Sequence, residues 1–193
     1  MGQAWLLRDG EYGCYNTFDN IELRGDNLTR TDLADLAVIQ ALGTTGDKFR
    51  NIWARVAVPS TMRAFYVTDY SDQPYGGCHN EFRNIYVEST ATGATHSNSV
   101  IRFLGSGNSA RQVKVVSGTG SVFSNGPQIY AGSDDCDIMD FVVNPQQGNL
   151  PLSIQGSCNR TRVTRYDGTV SNSGTGSILT NNAVGSARLG RFF

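Results

Sequence analysis

Carboxylates crowd together most densely at Asp134, Asp135, Asp137 and Asp140. Two carboxyl groups roughly 5 to 9 Å apart can break a glycosidic bond, one as acid and the other as base or nucleophile. The same oxygens can hold Ca²⁺. Asp134 falls on a position read below as structural, which leaves Asp137 and Asp140 as the pair. A second set borders a long segment, 66–79, that carries Asp69 and Asp72, with Glu81 and Glu88 following. Tyr66, Tyr70 and Tyr75 accompany it. Asp69, Asp72, Asp137 and Asp140 are therefore the candidate catalytic residues.

Arginines and rings make a third set. Arg50, Arg83 and Arg111 each stand three residues before a larger side chain, Trp53, Tyr86 or Lys114. A guanidinium fork grips a carboxylate with two hydrogen bonds, and flat rings cover apolar faces. Arg50, Arg83, Arg111, Trp53, Tyr86, Tyr70 and Tyr75 are thus candidates for contact with an anionic glycan. An interface between chains, or a plain solvated sheet face, would use the same residue types.

These rows exist only if the chain stacks on itself, and the sequence says that it does. Asn80-Glu81-Phe82-Arg83-Asn84-Ile85-Tyr86-Val87 repeats Asp47-Lys48-Phe49-Arg50-Asn51-Ile52-Trp53-Ala54 and Asn16-Thr17-Phe18-Asp19-Asn20-Ile21-Glu22-Leu23. Asn108-Ser109-Ala110-Arg111-Gln112-Val113-Lys114-Val115 is a weaker copy. Asp134, Asn159 and Asn181 read as the leading residues of later copies. A drifting period with a motif held constant describes stacked units joined by loops of varying length. Counted from the leading residue, positions +2, +5 and +7 are apolar. They face inward after one local adjustment of the strand alternation. Phe18, Phe49 and Phe82 should pile up, as should Ile21, Ile52, Ile85 and Val113. The +3 row reads Asp19, Arg50, Arg83, Arg111, Asp137, Arg162. A short apolar strand and a Gly/Ser turn precede most leading residues. Residues 31–42 are ambiguous: a short helix or irregular insert is expected to run into a strand over 37–42. His96 is expected on a loop surface and His79 at a packed or solvent edge.

The totals narrow the function. Sixteen basic residues against seventeen acidic ones give a net charge of −1, so no global field draws in nucleic acid. Only 17% of the 193 residues are charged and 22 are Gly, as in all-β chains with many turns. No apolar run reaches the roughly 18 residues of a membrane span. Ala4-Trp5-Leu6-Leu7 is too short for a signal core, so no secretory signal is expected. Cys14, Cys78, Cys136 and Cys158 lack metal-ligand spacing; free thiols are expected, with no metal and no cofactor. No G-x-S-x-G elbow occurs.

A Gly-Ser turn, a corner Asn and a strand of the form N-x-F-x-N-I resemble the second turn of right-handed parallel β-helices. That group includes the pectate-lyase-like proteins and the phage tailspikes. The resemblance spans roughly residues 16–182. It implies an all-β fold, a single-stranded right-handed parallel β-helix of about six to seven coils, one for each leading residue. Residues 1–15 would be an N-terminal cap or connection and 183–193 a C-terminal cap. A tailspike-like module further implies a homotrimer in a virion tail that recognises bacterial surface polysaccharide. Degradation, by a hydrolase or a lyase, would be an added activity. A structural shaft without ligand and a stand-alone polysaccharide lyase or hydrolase are the alternatives. No family catalytic motif is carried over residue by residue. In the pectate-lyase-like proteins the cleft lies near variable loops, which favours the 66–79 segment.

Overall fold

A computed structural model describes residues 3–10, 15–25, 35–57, 62–68, 77–143 and 150–180. They form strands and turns, and no helix occurs among them. In chain order the strands are β1 (Gln3–Gly10), β2 (Thr17–Gly25), β3 (Asp35–Leu42), β4 (Lys48–Val56), β5 (Met62–Thr68), β6 (Glu81–Ser89), β7 (Thr95–Ser99), β8 (Ile101–Phe103), β9 (Ser109–Val116), β10 (Val122–Asn125), β11 (Gln128–Ile129), β12 (Asp137–Val143), β13 (Leu152–Ile154), β14 (Arg162–Tyr166), β15 (Val170–Asn172) and β16 (Ile178–Thr180). The chain alternates between two seven-stranded sheets, β1-β3-β5-β8-β11-β13-β15 and β16-β14-β12-β9-β6-β4-β2. Every pairing in both is parallel. Two parallel sheets fed by one alternating chain are compatible with a parallel β-helix.

Like residues stack on like residues. Phe18 pairs with Phe49 and Phe49 with Phe82. Their ring centroids are 4.9 and 5.0 Å apart, with planes within 7°. Phe65 and Phe103 of the first sheet close on Phe82 from the opposite side, at 4.7 and 5.9 Å. Ile52, Ile85, Val113, Phe141 and Tyr166 fill the next interior column, all fully buried. Burying a large apolar side chain contributes on the order of 1.5–3 kcal/mol, so the interior columns dominate stability.

The local adjustment that turns +2 and +5 to the same side is a left-handed residue at +4. Asn20, Asn51, Asn84, Gln112, Asp140 and Arg165 all have φ between 51° and 56°. Each inserts one extra residue between inward positions, as a β-bulge does. Asn and Asp tolerate this conformation better than most residues.

A second left-handed column precedes each strand of the same sheet: Tyr15, Gly46, His79, Gly107, Asp135, Arg160 and Gly176. It marks the corner. At Asp47, Asn80 and Asn108 the residue after it links neighbouring rungs through its side chain. Asp47 Oδ1 accepts from Asn16 N–H, Asn80 Oδ1 from Asp47 N–H and Asn108 Oδ1 from Asn80 N–H, each at 3.0 Å.

The leading positions of the last three rungs differ from the sequence reading. Arg162 N–H bonds to Cys136 O and Ile178 N–H to Thr161 O, just as Glu81 N–H bonds to Asp47 O. The corner residues are therefore Cys136, Thr161 and Ser177, where Asp134, Asn159 and Asn181 were expected. Asp134 and Asn159 instead pair with each other two positions earlier, Asp134 Oδ1 accepting from Asn159 N–H at 2.8 Å. Asn181 lies outside the described residues.

Other expectations shift as well. The helix alternative for 31–42 gives way to β3 from Asp35 onward, because β-branched Val38 and Ile39 lie in a strand laddered between β1 and β5. Residues 3–10, within the stretch expected to cap or connect, form β1 and add one parallel rung to β3. The stretches closing two rungs carry a third, two-stranded parallel sheet, β7 with β10. His96 lies on β7, fully buried, against the Phe123 ring and bonded to Ser89 Oγ at 3.1 Å; it is not a surface residue. His79 is exposed at the corner. Cys136 and Cys158 are buried free thiols, Cys78 is half-buried, and Cys14 lies outside the described residues. Among the described residues no helix is long and apolar enough to cross a membrane.

Candidate functional site

The outer face of the sheet running from β2 to β16 carries the expected rows, re-registered in its second half. Asp19, Arg50, Arg83 and Arg111 lie in one row, and Met139 follows where Asp137 was expected. Asp137 and Arg162 belong to the +1 row, with Lys48, Glu81 and Ser109. The +6 row is Glu22, Trp53, Tyr86, Lys114 and Val142.

The register sets a diagonal rule. An arginine at +3 meets the +1 residue of the next rung. Arg50 is bidentate to Glu81, at 3.1 and 2.9 Å. Arg111 reaches Asp137 at 2.5 Å. The Arg50 bonds hold the Glu81 carboxyl below its usual range, helped by the charges of Arg50, Arg83 and Arg111. Arg83 has Ser109 in the diagonal position. It is exposed and makes no ion pair among the described residues. The row thus holds two neutralised arginines around one open cation. Such surface pairs are each worth roughly 0.2–1 kcal/mol.

Beside the open arginine lies a stacked aromatic pair. Trp53 and Tyr86 are stacked with centroids 6.3 Å apart and planes 6° apart. Lys114 Nζ stands 6.0 Å from the Tyr86 ring centre. Burial and the Glu88 charge raise the Tyr86 phenol above its ordinary range, so it stays protonated at neutral pH. Between the arginine and aromatic rows runs an amide ladder. Asn84 Nδ2 donates to Asn51 Oδ1 at 2.7 Å, and Asn51 Nδ2 donates to Asp19 Oδ1 at 2.8 Å. An open depression lined by Asn20, Ile21, Glu22, Asn51 and Trp53 adjoins the pair. The sequence singled out Arg83, Trp53 and Tyr86, and the structure brings them onto one face. The Asn ladder was visible as a recurrence but not as part of a surface.

The candidate carboxylates among the described residues are held by arginines. Asp137 is tied to Arg111. Asp140, in the left-handed column, is bound by both Nε and Nη2 of Arg165, the latter at 2.6 Å. Asp135 is bidentate to Arg160 at 2.7 Å for both bonds, which holds its carboxyl low. A general acid needs an open approach to its substrate, and these pairings close it. Asp69, Asp72, Tyr70 and Tyr75 lie outside the described residues.

One group on the opposite sheet carries no repeat signal. Arg102, on β8, lies between Tyr66 and Tyr130, its guanidinium carbon 5.5 and 3.8 Å from the two ring centres. The three share no motif, so only the fold brings them together. Comparison of the chain with protein-family models, with curated proteins and with solved structures finds no match.

Proposed function

We propose that the chain is a single-stranded right-handed parallel β-helix, a tailspike-like module that recognises bacterial surface polysaccharide on the outer face of the β2–β16 sheet. The observation that carries this reading is the conjunction of the stacked Trp53–Tyr86 pair with Arg83, which has no carboxylate partner among the described residues. A pyranose presents apolar C–H groups that can pack against such rings. Its hydroxyls and acidic substituents need amides and cations beside them, and the Asn51–Asn84 ladder and Arg83 stand there. Rungs recur at about 4.8 Å, so an extended chain of sugars can follow the stack.

The reading is recognition without cleavage on this face, because Asp137 and Asp140 are both held by arginines. A trimer in a virion tail comes with the tailspike resemblance. The second reading is a shaft with no ligand. The diagonal ion pairs favour it, since they use the outer face to hold rungs together.

The test is a panel of capsular and lipopolysaccharide glycans offered to the wild-type chain, with binding and chain shortening both read. The expected result is binding without shortening, reduced about tenfold or more by Trp53→Ala or Tyr86→Ala. Binding to none of the panel by a folded chain of measured oligomeric mass leaves the shaft. Shortening that survives Asp137→Asn and Asp140→Asn, and is lost with Asp72→Asn, moves catalysis to the 66–79 segment.

A further inference from the structure

Arg102 projects from the outer face of the first sheet, since its neighbours Ile101 and Phe103 are both fully buried. Tyr66 and Tyr130 cover its guanidinium from two sides. Arg63 lies on Tyr66 as well, 5.2 Å from the ring centre, but it is almost fully buried and donates to Ser99 Oγ at 2.6 Å. Arg102 differs. Its Nε is buried without a hydrogen-bond partner, and no described carboxylate pairs with it. Gln128 and then Ser153 follow it in the same outward row. A half-buried cation with no counter-ion calls for an explanation.

We infer that Arg102, clamped between Tyr66 and Tyr130, is a binding site for a carboxylate. Rings on the guanidinium faces leave the rim of N–H groups for an anion. With Nε buried, approach is end-on, through the two Nη groups. A planar carboxylate fits that edge with two parallel bonds. The clamp fixes the side chain beforehand, which lowers the entropy lost on binding. The site does not depend on the polysaccharide reading, for it lies on another sheet.

The experiment follows the Nε–H resonance of Arg102 in the full chain by NMR while glucuronate, acetate, glucose and inorganic phosphate are added separately. The expected result is a saturable shift with glucuronate and none with glucose. A matching shift with acetate means that the carboxylate alone is read; its absence means that the acidic sugar is read. Tyr130→Leu should weaken the glucuronate response about fivefold, the scale of one cation–π contact. Arg102→Lys keeps the charge but loses the fork, and should abolish glucuronate binding in a calorimetric titration. No shift with either carboxylate overturns the inference, as does a shift equally strong with phosphate. Unchanged affinity in a folded Tyr130→Leu chain overturns the clamp.

Discussion

His79 lies across Gly107. Both are corner residues of successive rungs, with φ of 58° and 71°. A Cβ built on Gly107 would sit 2.6 Å from His79 Cε1 and closer still to Nδ1. Tyr15 covers Gly46 in the same way, with a Cβ there 2.6 Å from its ring. The column therefore puts a large side chain over a bare backbone. Gly107→Ala should cost about 1–3 kcal/mol through left-handed strain and the clash together. His79→Gly in the same chain should recover the clash part only. Urea unfolding of the two single variants and the double variant separates the two; full additivity would mean that the rings do not matter.

Asn80 bonds in three directions from a fully buried position. Its Oδ1 accepts from Asp47 N–H at 3.0 Å and from Thr44 Oγ1 at 3.2 Å, and its Nδ2 donates to Thr44 O at 3.3 Å. Asn80→Ala strands these groups in the interior and should cost about 2–4 kcal/mol. Asn80→Asp keeps the acceptor and loses the donor. Thermal unfolding should rank wild type above both. An Ala variant within experimental error of wild type would show that the corner ladder is ornamental.

Asp47 is the acidic member of that ladder. Burial raises its carboxyl above the usual range, against the lowering by the Asn16 amide and the Thr44 hydroxyl; the Asp9 charge adds to the rise. A carboxyl with a raised folded pKa holds its proton better folded than unfolded. Its ionisation therefore costs stability. That cost is absent below the unfolded value of about 3.9 and complete above the folded pKa. Asp47→Asn, which installs the residue found at 16, 80 and 108, should stabilise the chain at pH 7 by roughly 0.5–2 kcal/mol. The gain should shrink as pH falls toward about 3.9, where both side chains are neutral. A denaturation series across that range checks the sign. A variant less stable than wild type at pH 7 would reverse it.

How much of this was legible follows from what each signal depends on. The Phe18–Phe49–Phe82 pile was readable because one residue type recurs at one offset, and the core obeys that offset. The left-handed bulge was half readable. Asn20, Asn51 and Asn84 recur, but recurrence alone does not show which residue breaks the strand alternation. The last corners were misplaced because Cys136, Thr161 and Ser177 look like nothing in particular, while Asp134 and Asn159 two places earlier match the motif. That shift put Asp137 in the arginine row and hid its pairing with Arg111. The β7–β10 sheet escaped because short polar strands such as Thr95–Ser99 carry no period. Trp53 and Tyr86 were readable as a row. That Arg83 is open could not be read locally, since it depends on Ser109, in the next rung.

Cysteine chemistry gives a direct check on the interior. Burial pushes the Cys136 thiol up to about 12, despite the lowering by the Asn108 backbone. Cys158 is likewise buried and raised. The thiolate is the reactive form. Both should resist iodoacetamide at pH 8 in the folded chain, while half-buried Cys78 reacts first. Mass mapping of labelled peptides shows the order. Rapid labelling of Cys136 without unfolding would place that corner at the surface.

The strongest test of the proposed glycan-binding face adds a group instead of removing one. Ser109 occupies the diagonal position that Glu81 and Asp137 fill for Arg50 and Arg111. Ser109→Asp should give Arg83 the partner its neighbours have. Stability should change by no more than about 1 kcal/mol, the ceiling for an exposed pair. Binding of acidic glycans should fall about tenfold, because the new carboxylate competes with the ligand for the guanidinium. Binding of neutral glycans to Trp53 and Tyr86 should be unchanged. An equal loss for both classes would mean that the variant distorts the aromatic pair. No loss for either would remove Arg83 from the site while leaving the aromatic rows in it.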